Sequence, residues 1–295
     1  MTKKNAERSF VQGVRQYLRN PLSLALWLLV RLAALITAGV FIALVGYILV
    51  KGVPYLSFDL FALEYNTENL SLFPALVNTV VMAAFSLLVA APLGIFAALY
   101  LVEYAKRGNR VVDVIRFAAE ALSGVPSIVY GLFGMLFFVV SLGWGMSILA
   151  GAFTLAIMIL PLLLRTTEEA LKAVPDMYRE GSFGLGAGKL RTIFRIVLPA
   201  AVPGILSGVI LAVGRVVSET AALIYTAGTV AQMPATPMDS GRTLALHMYA
   251  LSNEGLYTDK AYATAVVLLL LVLGINTLSS IIAKRISKGT VGEDG

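Results

Sequence analysis

Arg215 and Glu219 are the residues whose types and spacing best suit chemistry on a charged ligand. Both lie in a long apolar run, residues 200–227, four positions apart and so on one face of a predicted helix. A guanidinium offers two parallel N–H groups to an oxyanion. An unpaired charge inside a membrane costs at least about 2.5–3.5 kcal/mol, so Arg215 must face a partner, water or a transport pathway. We interpret Arg215 as an anion contact oriented by Glu219, with Ser218 and Thr220 as neutral donors nearby. The alternative is a structural ion pair within one helix.

A second apolar run, residues 117–142, carries Ser127 and Tyr130, whose hydroxyls are further candidates for lining the pathway. Gly124 and Pro126 in the same run predict a helix that bends or packs closely against a neighbour. The alternative interpretation is that these residues serve helix packing alone.

The composition predicts that membrane-spanning helices position these side chains. The 295 residues are 58% hydrophobic and 14% charged, with a mean hydropathy of +0.84, whereas soluble domains carry about 25% charged residues. The first apolar run lacks a clear cleavage site and is interpreted as a retained helix. We therefore predict an all-α polytopic membrane protein with six transmembrane helices, at about 32–50, 78–102, 117–142, 145–164, 200–227 and 261–283.

Basic residues predict the orientation of these helices. Of the 23 lysines and arginines, all but Lys51, Arg215, Arg242 and Lys260 fall on the side that holds both termini. The positive-inside rule places that side in the cytoplasm, and it explains the net charge of +6 better than nucleic-acid binding does. Localisation in the cell (inner or plasma) membrane follows, with loops 51–77, 143–144 and 228–260 outside. A short surface helix is expected at 243–252, either as a cover for the bundle or as a docking surface.

Several kinds of chemistry are excluded by residues that the sequence lacks. Without cysteine there is neither a disulfide nor a thiolate site. The single histidine, His247, makes no metal site and is expected on the surface of the outer loop. No GxxxxGK[ST] motif is present, so we expect no ATP binding by this chain, no catalytic residue, no metal and no cofactor.

The segment Glu180–Pro199, EGSFGLGAGKLRTIFRIVLP, is a patterned loop on the cytoplasmic side. A short helix is expected from about Met177 to Phe183, followed by a glycine-rich turn. A basic loop that merely obeys the positive-inside rule would explain the charges but not the spacing. That spacing is set by Glu180, Gly181, Ser182, Gly186, Ile196, Leu198 and Pro199.

This spacing resembles the signature of type I ABC importer permeases, Glu-Ala-Ala, three residues, Gly, nine residues, Ile, one residue, Leu-Pro. Gly181 and Ser182 depart from the two alanines but are also small. The segments 121–134 and 214–228 resemble the phosphate-specific permease subunits, most closely those of the A type. The resemblance implies a permease core at 78–286 with a coupling loop at 165–199. Before this core we predict a tail and interfacial segment (1–31) and a first helix with its outer loop (32–77). Residues 22–30 form either an interfacial helix or a cytoplasmic extension of the first span. A disordered tail (287–295) follows.

The resemblance further implies an ATP-driven phosphate importer that works by alternating access. The expected partners are a second, C-type phosphate permease subunit, a dimer of ATP-binding subunits that uses the ATP, and an extracytoplasmic phosphate-binding protein, all beside membrane lipid. In that family the short helix of the loop seats in the ATPase, and the residues matching Arg215 and Glu219 are implicated in phosphate transport. The alternatives are a permease for sulfate, molybdate or phosphonate, or an ATP-independent channel. An intramembrane enzyme is disfavoured because paired catalytic residues are absent from the spans.

Overall fold

The computed structural model describes residues 21–106, 108–255 and 257–290, and the regular secondary structure of this part is entirely helical. The chain divides into two units, residues 1–51 and 52–295. The helices are α1 (Pro21–Gly52), α2 (Phe73–Leu99), α3 (Arg110–Ser123), α4 (Ser127–Gly134), α5 (Ile148–Lys172), α6 (Asp176–Gly184), α7 (Lys189–Thr192), α8 (Leu198–Val217), α9 (Ala221–Thr226), α10 (Leu244–Glu254) and α11 (Thr258–Thr290). Single π-helical segments follow α2, α4 and α7, at Tyr100–Tyr104, Met135–Ser141 and Ile193–Val197.

Five helical segments are long and apolar enough to cross a membrane, and a sixth is possible if one bent pair counts as a span. The result confirms the prediction of an all-α polytopic membrane protein. The five segments are Leu22–Tyr55, Phe73–Tyr104, Ile148–Lys172, Lys189–Val217 and Thr258–Ile282.

The first unit is described by α1 alone. Residues 22–30 are part of this continuous helix, which agrees with an extension of the first span rather than with a separate interfacial helix. Residues 1–20 of the predicted tail lie outside the described residues.

The predicted third span, 117–142, is not one straight helix. Helices α3 and α4 meet at an angle of 102° across the break at Gly124–Pro126. Pro126 has no N–H to continue the α3 hydrogen bonds, and the Tyr130 hydroxyl donates instead to the carbonyl of Leu122, at 2.8 Å. The bend is therefore held by a side chain from the far side of the break.

The predicted fifth span, 200–227, is also divided. Helix α8 ends at Val217, residues 218–220 leave the helical conformation, and α9 starts at Ala221. Consequently Arg215 lies in α8 and Glu219 lies in the break, and the prediction that they share one helix face is wrong.

Helix α5 lies at the centre of the second unit, because Leu155, Ile159 and Leu163 are fully buried along its length. It packs on α2, where the Ser86 hydroxyl donates to the carbonyl of Ala152 at 3.0 Å. It also packs on α8, where an added Cβ at Gly208 would strike the side chain of Thr166. One end of α5 therefore lies near α6, and the other near the 228–243 loop, whose Asp239 carbonyl accepts from the Ile148 amide.

Helix α10 confirms the helix expected at 243–252, but its inner face is buried. Leu244, Leu246 and Leu251 are nearly inaccessible to solvent, and Leu244 packs with Leu60 and Leu72 of the segment between α1 and α2. This supports the interpretation of α10 as a cover.

At the C-terminal end of the chain, α11 continues to Thr290, so residues 287–290 of the tail predicted to be disordered are helical. Residues 291–295 lie outside the described part.

Candidate functional site

Arg215 lies in the last turn of α8 and is half-buried. Its guanidinium forms no hydrogen bond and no ion pair within the described part of the chain. Its charge is close enough to the Tyr130 hydroxyl to act on it electrostatically. Valines on the same turn, Val213 and Val216, pack with Tyr130 in one core cluster. Arg215 is thus held by its neighbours' packing while its donors stay available to a ligand.

Glu219 does not hold Arg215. One carboxylate oxygen, Oε1, accepts from the backbone N–H groups of Thr220 and Ala222, both at 3.2 Å. These are orphan donors at the start of α9, and the positive end of a helix stabilises a carboxylate there. The prediction that Glu219 orients Arg215 is therefore wrong in this conformation, as is the alternative of an ion pair between the two.

The other predicted pathway residues lie around this break, and they differ in exposure and in whether their hydroxyls already donate a hydrogen bond. Ser218 is exposed, but its hydroxyl donates to the Gly214 carbonyl at 2.8 Å. Tyr130 is buried and its hydroxyl is occupied by Leu122. Thr220 and Ser127 are half-buried. The close approach of α4 to α9 brings these groups together, since a Cβ added at Gly131 would lie 2.8 Å from the Cα of Ala222.

Beyond the end of α5, helix α6 (Asp176–Gly184) corresponds to the short helix predicted at 177–183, and Gly186 follows its C-cap, Leu185. Gly186 has φ +80°, its amide donates to the Phe183 carbonyl at 2.9 Å, and the Ala187 amide donates to the Ser182 carbonyl at 3.1 Å. These two bonds form a Schellman motif, which needs a left-handed residue just after the helix. The signature glycine is thus required by the helix end.

The two small residues of α6 have different surroundings. Ser182 is buried, and its hydroxyl lies 2.8 Å from that of Thr192 on α7. Gly181 is exposed, and an added Cβ there would meet nothing within 4 Å. The carboxylate of the exposed Glu180 forms no hydrogen bond or ion pair with the described residues, and Leu185 is 91% exposed. This surface, made by Glu180, Gly181 and Leu185, is called the α6 face below.

The last part of the signature lies beneath the α6 face. Pro199 stands in the first turn of α8, directly after the π-helical segment Ile193–Val197 and within the continuous helical run Lys189–Val217. Leu198 packs against the buried cluster that contains Leu171 and Val197. Ile196 and Pro199 line a groove of about 600 Å³ with residues of α5 and α8. These three residues lie where the start of α8 packs near the end of α5.

Sequence reasoning missed Arg179, which is only 15% exposed although its neighbours Tyr178 and Glu180 are exposed. Arg179 forms a buried ion pair with Glu103, at 2.8 Å, beyond the end of α2. No spacing rule connects residues so far apart in the chain. The only sequence signal was Glu103 itself, an acidic residue at the end of an apolar run.

A second missed cluster lies at the α10 end of the unit. The Arg242 Nε donates to His247 Nδ1 at 3.0 Å, and the Arg242 guanidinium lies over the Tyr65 ring at 5.1 Å. His247 is fully buried, so its predicted surface position is wrong. Burial first, and then the charge of Arg242, lower the pKa of His247 to about 3, while a Leu70 backbone contact opposes them. The histidine is therefore a neutral acceptor at physiological pH.

Metal binding has no support in the described residues, where no group of three His, Asp or Glu side chains could hold an ion. The arrangement can do two things chemically. Within the described residues, it presents the unpaired guanidinium of Arg215 beside a helix break, and an anchored short helix with the solvent-exposed carboxylate of Glu180.

Comparison with known proteins bears on both features. The family described as binding-protein-dependent transport system inner membrane component matches residues 90–291. The probable ABC transporter permease protein YqgI of Bacillus subtilis (strain 168) is 35% identical over 248 residues, which cover 77% of this chain and 82% of that protein. The phosphate transport system permease protein PstA of Pasteurella multocida (strain Pm70) is 34% identical over 259 residues, 82% of this chain and 87% of that protein.

A solved structure agrees in fold. It is the crystal structure of a bacterial alginate ABC transporter in complex with an alginate pentasaccharide-bound periplasmic protein. One chain of it matches with a TM-score of 0.66 at 18% identity, covering 93% of this chain and 98% of that chain. At this identity the likeness concerns the fold, that of type I ABC importer permeases.

Proposed function

Since the chain belongs to the family of inner-membrane components of binding-protein-dependent transport systems, we propose that it is the permease subunit of an ATP-driven phosphate importer. Phosphate is supported by relatives named for phosphate transport. It is supported above all by the Arg215 guanidinium, which has no hydrogen-bond or ion-pair partner among the described residues and lies beside the break between α8 and α9. A planar guanidinium donates two parallel hydrogen bonds to a phosphate oxygen pair.

The proposed route through the membrane uses the residues around this break. Phosphate meets Arg215 while the half-buried hydroxyls of Thr220 and Ser127 offer neutral donors. The Glu219 carboxylate accepts hydrogen bonds from the amides at the start of α9, so it repels the anion less than an unpaired carboxylate would. Tyr130 holds the bend between α3 and α4 and thereby shapes the wall beside Arg215.

The proposed source of motion is a separate ATPase that docks on the α6 face. Glu180 is available for a cation of that partner, and the exposed Leu185 for an apolar pocket. ATP is bound and used by the ATPase dimer, and this chain binds no cofactor. Closure of the ATPase pushes α6, the bundle opens outward to take phosphate, and hydrolysis returns it inward.

The remaining partners and the orientation belong to the same proposal. A C-type permease subunit pairs with this chain, and an extracytoplasmic phosphate-binding protein docks on the side of α10. Both termini and α6 lie in the cytoplasm, in agreement with the distribution of lysine and arginine.

Uptake competition in cells tests the substrate. In a strain whose uptake depends on this chain and its partner subunits, labelled phosphate should enter, and excess unlabelled phosphate should block it. A hundredfold excess of sulfate, molybdate or phosphonate should leave the rate unchanged. Inhibition by one of those anions as strong as by phosphate would identify the chain as a permease for that anion instead.

A further inference from the structure

Arg179 is the most extensively bonded side chain at the α6 end of the unit. Its Nε and Nη2 both donate to Glu103 Oε1, at 3.1 and 2.8 Å. Nη2 also donates to the Leu171 carbonyl at 3.0 Å, and Nη1 donates to the Val174 carbonyl and to Asp176 Oδ1, at 2.8 and 3.2 Å. A guanidinium has five N–H donors, and these are five contacts. The side chain therefore has one well-defined position.

These contacts join three helices. Arg179 belongs to α6, and Glu103 to the π-helical segment that follows α2. Leu171 lies in the last turn of α5, and Val174 just after it, so both carbonyls that Arg179 contacts belong to the C-terminal end of α5. The start of α6 is thus bonded to the ends of the two helices that form the centre of the bundle.

The joint is buried as well as bonded. The Glu103 side chain is 8% exposed and that of Arg179 is 15% exposed. Removal of Arg179 leaves the Glu103 carboxylate without its cation in a poorly solvated place, which is strongly unfavourable. We therefore expect the ion pair between Arg179 and Glu103 to persist when α6 is displaced. An exposed ion pair would instead be weakened by water and salt.

A second joint leads from the same helix to Arg215. The buried hydroxyls of Ser182 and Thr192, 2.8 Å apart, connect α6 to α7, which continues through a π-helical segment into α8. The α6 helix thus has one attachment towards α2 and α5 and another towards α8, while the α6 face between them remains open.

We propose that Arg179 is a positioning residue that transmits displacement of α6 to α2 and α5, so that ATP hydrolysis and transport become uncoupled without it. The inference rests on the proposed function. The ATPase displaces α6 by contact with Glu180 and the rest of the α6 face, and the Arg179 bonds carry this displacement to α2 and α5. Loss of the Arg179 joint leaves the docking surface in place but lets α6 move without the two central helices.

The test uses the whole complex, purified with its co-purifying subunits and reconstituted in proteoliposomes. ATPase rate and labelled phosphate uptake are measured for wild type, Arg179→Met and Glu103→Gln. We expect unchanged subunit ratios, ATPase rates within about twofold of wild type, and uptake reduced at least tenfold, so that the ATP used per phosphate rises at least fivefold. The double variant should be no worse than Arg179→Met, because both changes break one joint.

Arg165→Met is the matched control. Arg165 also pairs with a glutamate, Glu169 at 3.2 Å, but both side chains are mostly exposed, at 60% and 65%. Its removal should change neither rate. Arg179→Lys, which keeps the charge but not the five-donor fork, should recover only part of the coupling.

Other outcomes separate the possible failures. An ATPase rate that falls in proportion to uptake, or an unchanged ratio, would overturn the role of Arg179. If Arg179→Met does not reach the membrane, Glu103→Gln decides, since it exchanges one oxygen for an amide nitrogen. If neither variant reaches the membrane, the bonds between Arg179 and Glu103 are needed for folding, and the proposal is overturned. If the wild-type complex shows no ATP-driven phosphate uptake, the proposed function has failed before any variant is compared.

Discussion

Two charged residues at the end of α8 differ in how their charges are compensated. Glu219 has its carboxylate on two backbone amides, whereas the Arg215 guanidinium has no bond to the described protein. The cation is therefore the group left for a ligand. Its half-buried position strengthens an interaction with an anion, because fewer waters compete.

We expect Arg215→Gln to lower phosphate uptake more than about thirtyfold, since the loss of a buried charge-assisted contact costs about 2–5 kcal/mol. Arg215→Lys should retain part of the activity as a point charge without the bidentate fork. Initial rates of labelled phosphate uptake, normalised to protein in the membrane, measure both. Arg195→Gln, which removes an exposed arginine from the same membrane segment, is the control. Uptake by Arg215→Gln at the level of this control would exclude Arg215 from the pathway.

His247 makes stability depend on pH in a defined direction. Its pKa is about 3 in the fold, against about 6.5 in an unfolded chain. The unfolded chain binds the proton first as pH falls, so the stability present above about pH 6.5 decreases towards pH 3. Between pH 7.5 and 5 the loss is about 2 kcal/mol from this residue.

Unfolding in detergent at the two pH values checks this expectation. In His247→Gln the amide oxygen still accepts from Arg242 but does not titrate, so the variant should lack this part of the pH dependence. Equal pH dependence in wild type and variant would show that His247 is not kept neutral by the fold.

At the scale of elements, the end of α6 shows why the signature contains a glycine. Gly186 has φ +80°, and the two Schellman bonds around it close the helix. Gly188, two residues later, has φ −73° and open space where a Cβ would be. The two glycines are therefore a matched pair that differs in backbone conformation.

We expect Gly186→Ala to destabilise this turn by about 1–2 kcal/mol and Gly188→Ala to have little effect. Limited trypsin digestion of the solubilised protein reports local opening through cleavage after Lys189 and Arg191. Cleavage should be roughly five- to thirtyfold faster in Gly186→Ala if it follows the open population. Equal cleavage rates in the two variants would mean that the left-handed turn does not hold α6 closed.

The same elements show how far the sequence predicts the structure. The long apolar runs were sufficient to predict where the membrane helices lie, and the helix-glycine pattern predicted α6. A bend at Gly124–Pro126 was predicted, but not a break between two helices at 102°. The break at residues 218–220 was not predicted. They depend on contacts made in the fold, the Tyr130 hydroxyl on Leu122 and the Glu219 carboxylate on the α9 amides.

The sequence predicts the candidate site only in part, for the same reason. Arg215, Glu180 and Gly186 were chosen as candidates because their residue types and spacing are informative without knowledge of the fold. The Arg179 bond to Glu103 and the burial of His247 arise from packing of segments far apart in sequence, for which a single sequence has no periodic signal.

At the scale of the whole molecule, substrate binding and ATPase docking lie at different levels along α5 in this account. The break between α8 and α9 lies beside α5, between the contact of Gly208 with Thr166 and that of Gly151 with Leu223. The α6 face, where the ATPase docks, lies beyond the end of α5 at Lys172. The buried core of α5, with α2 and α8 packed on it, connects these two regions.

ATP-dependent phosphate uptake by the purified complex tests this account most directly. The tagged chain is isolated with its co-purifying subunits, reconstituted, and supplied with a phosphate-loaded binding protein on the α10 side and ATP on the α6 side. The account predicts accumulation of labelled phosphate with ATP and none with a non-hydrolysable analogue. Accumulation at the same rate without hydrolysis, or the absence of an ATPase from the purified complex, would contradict it.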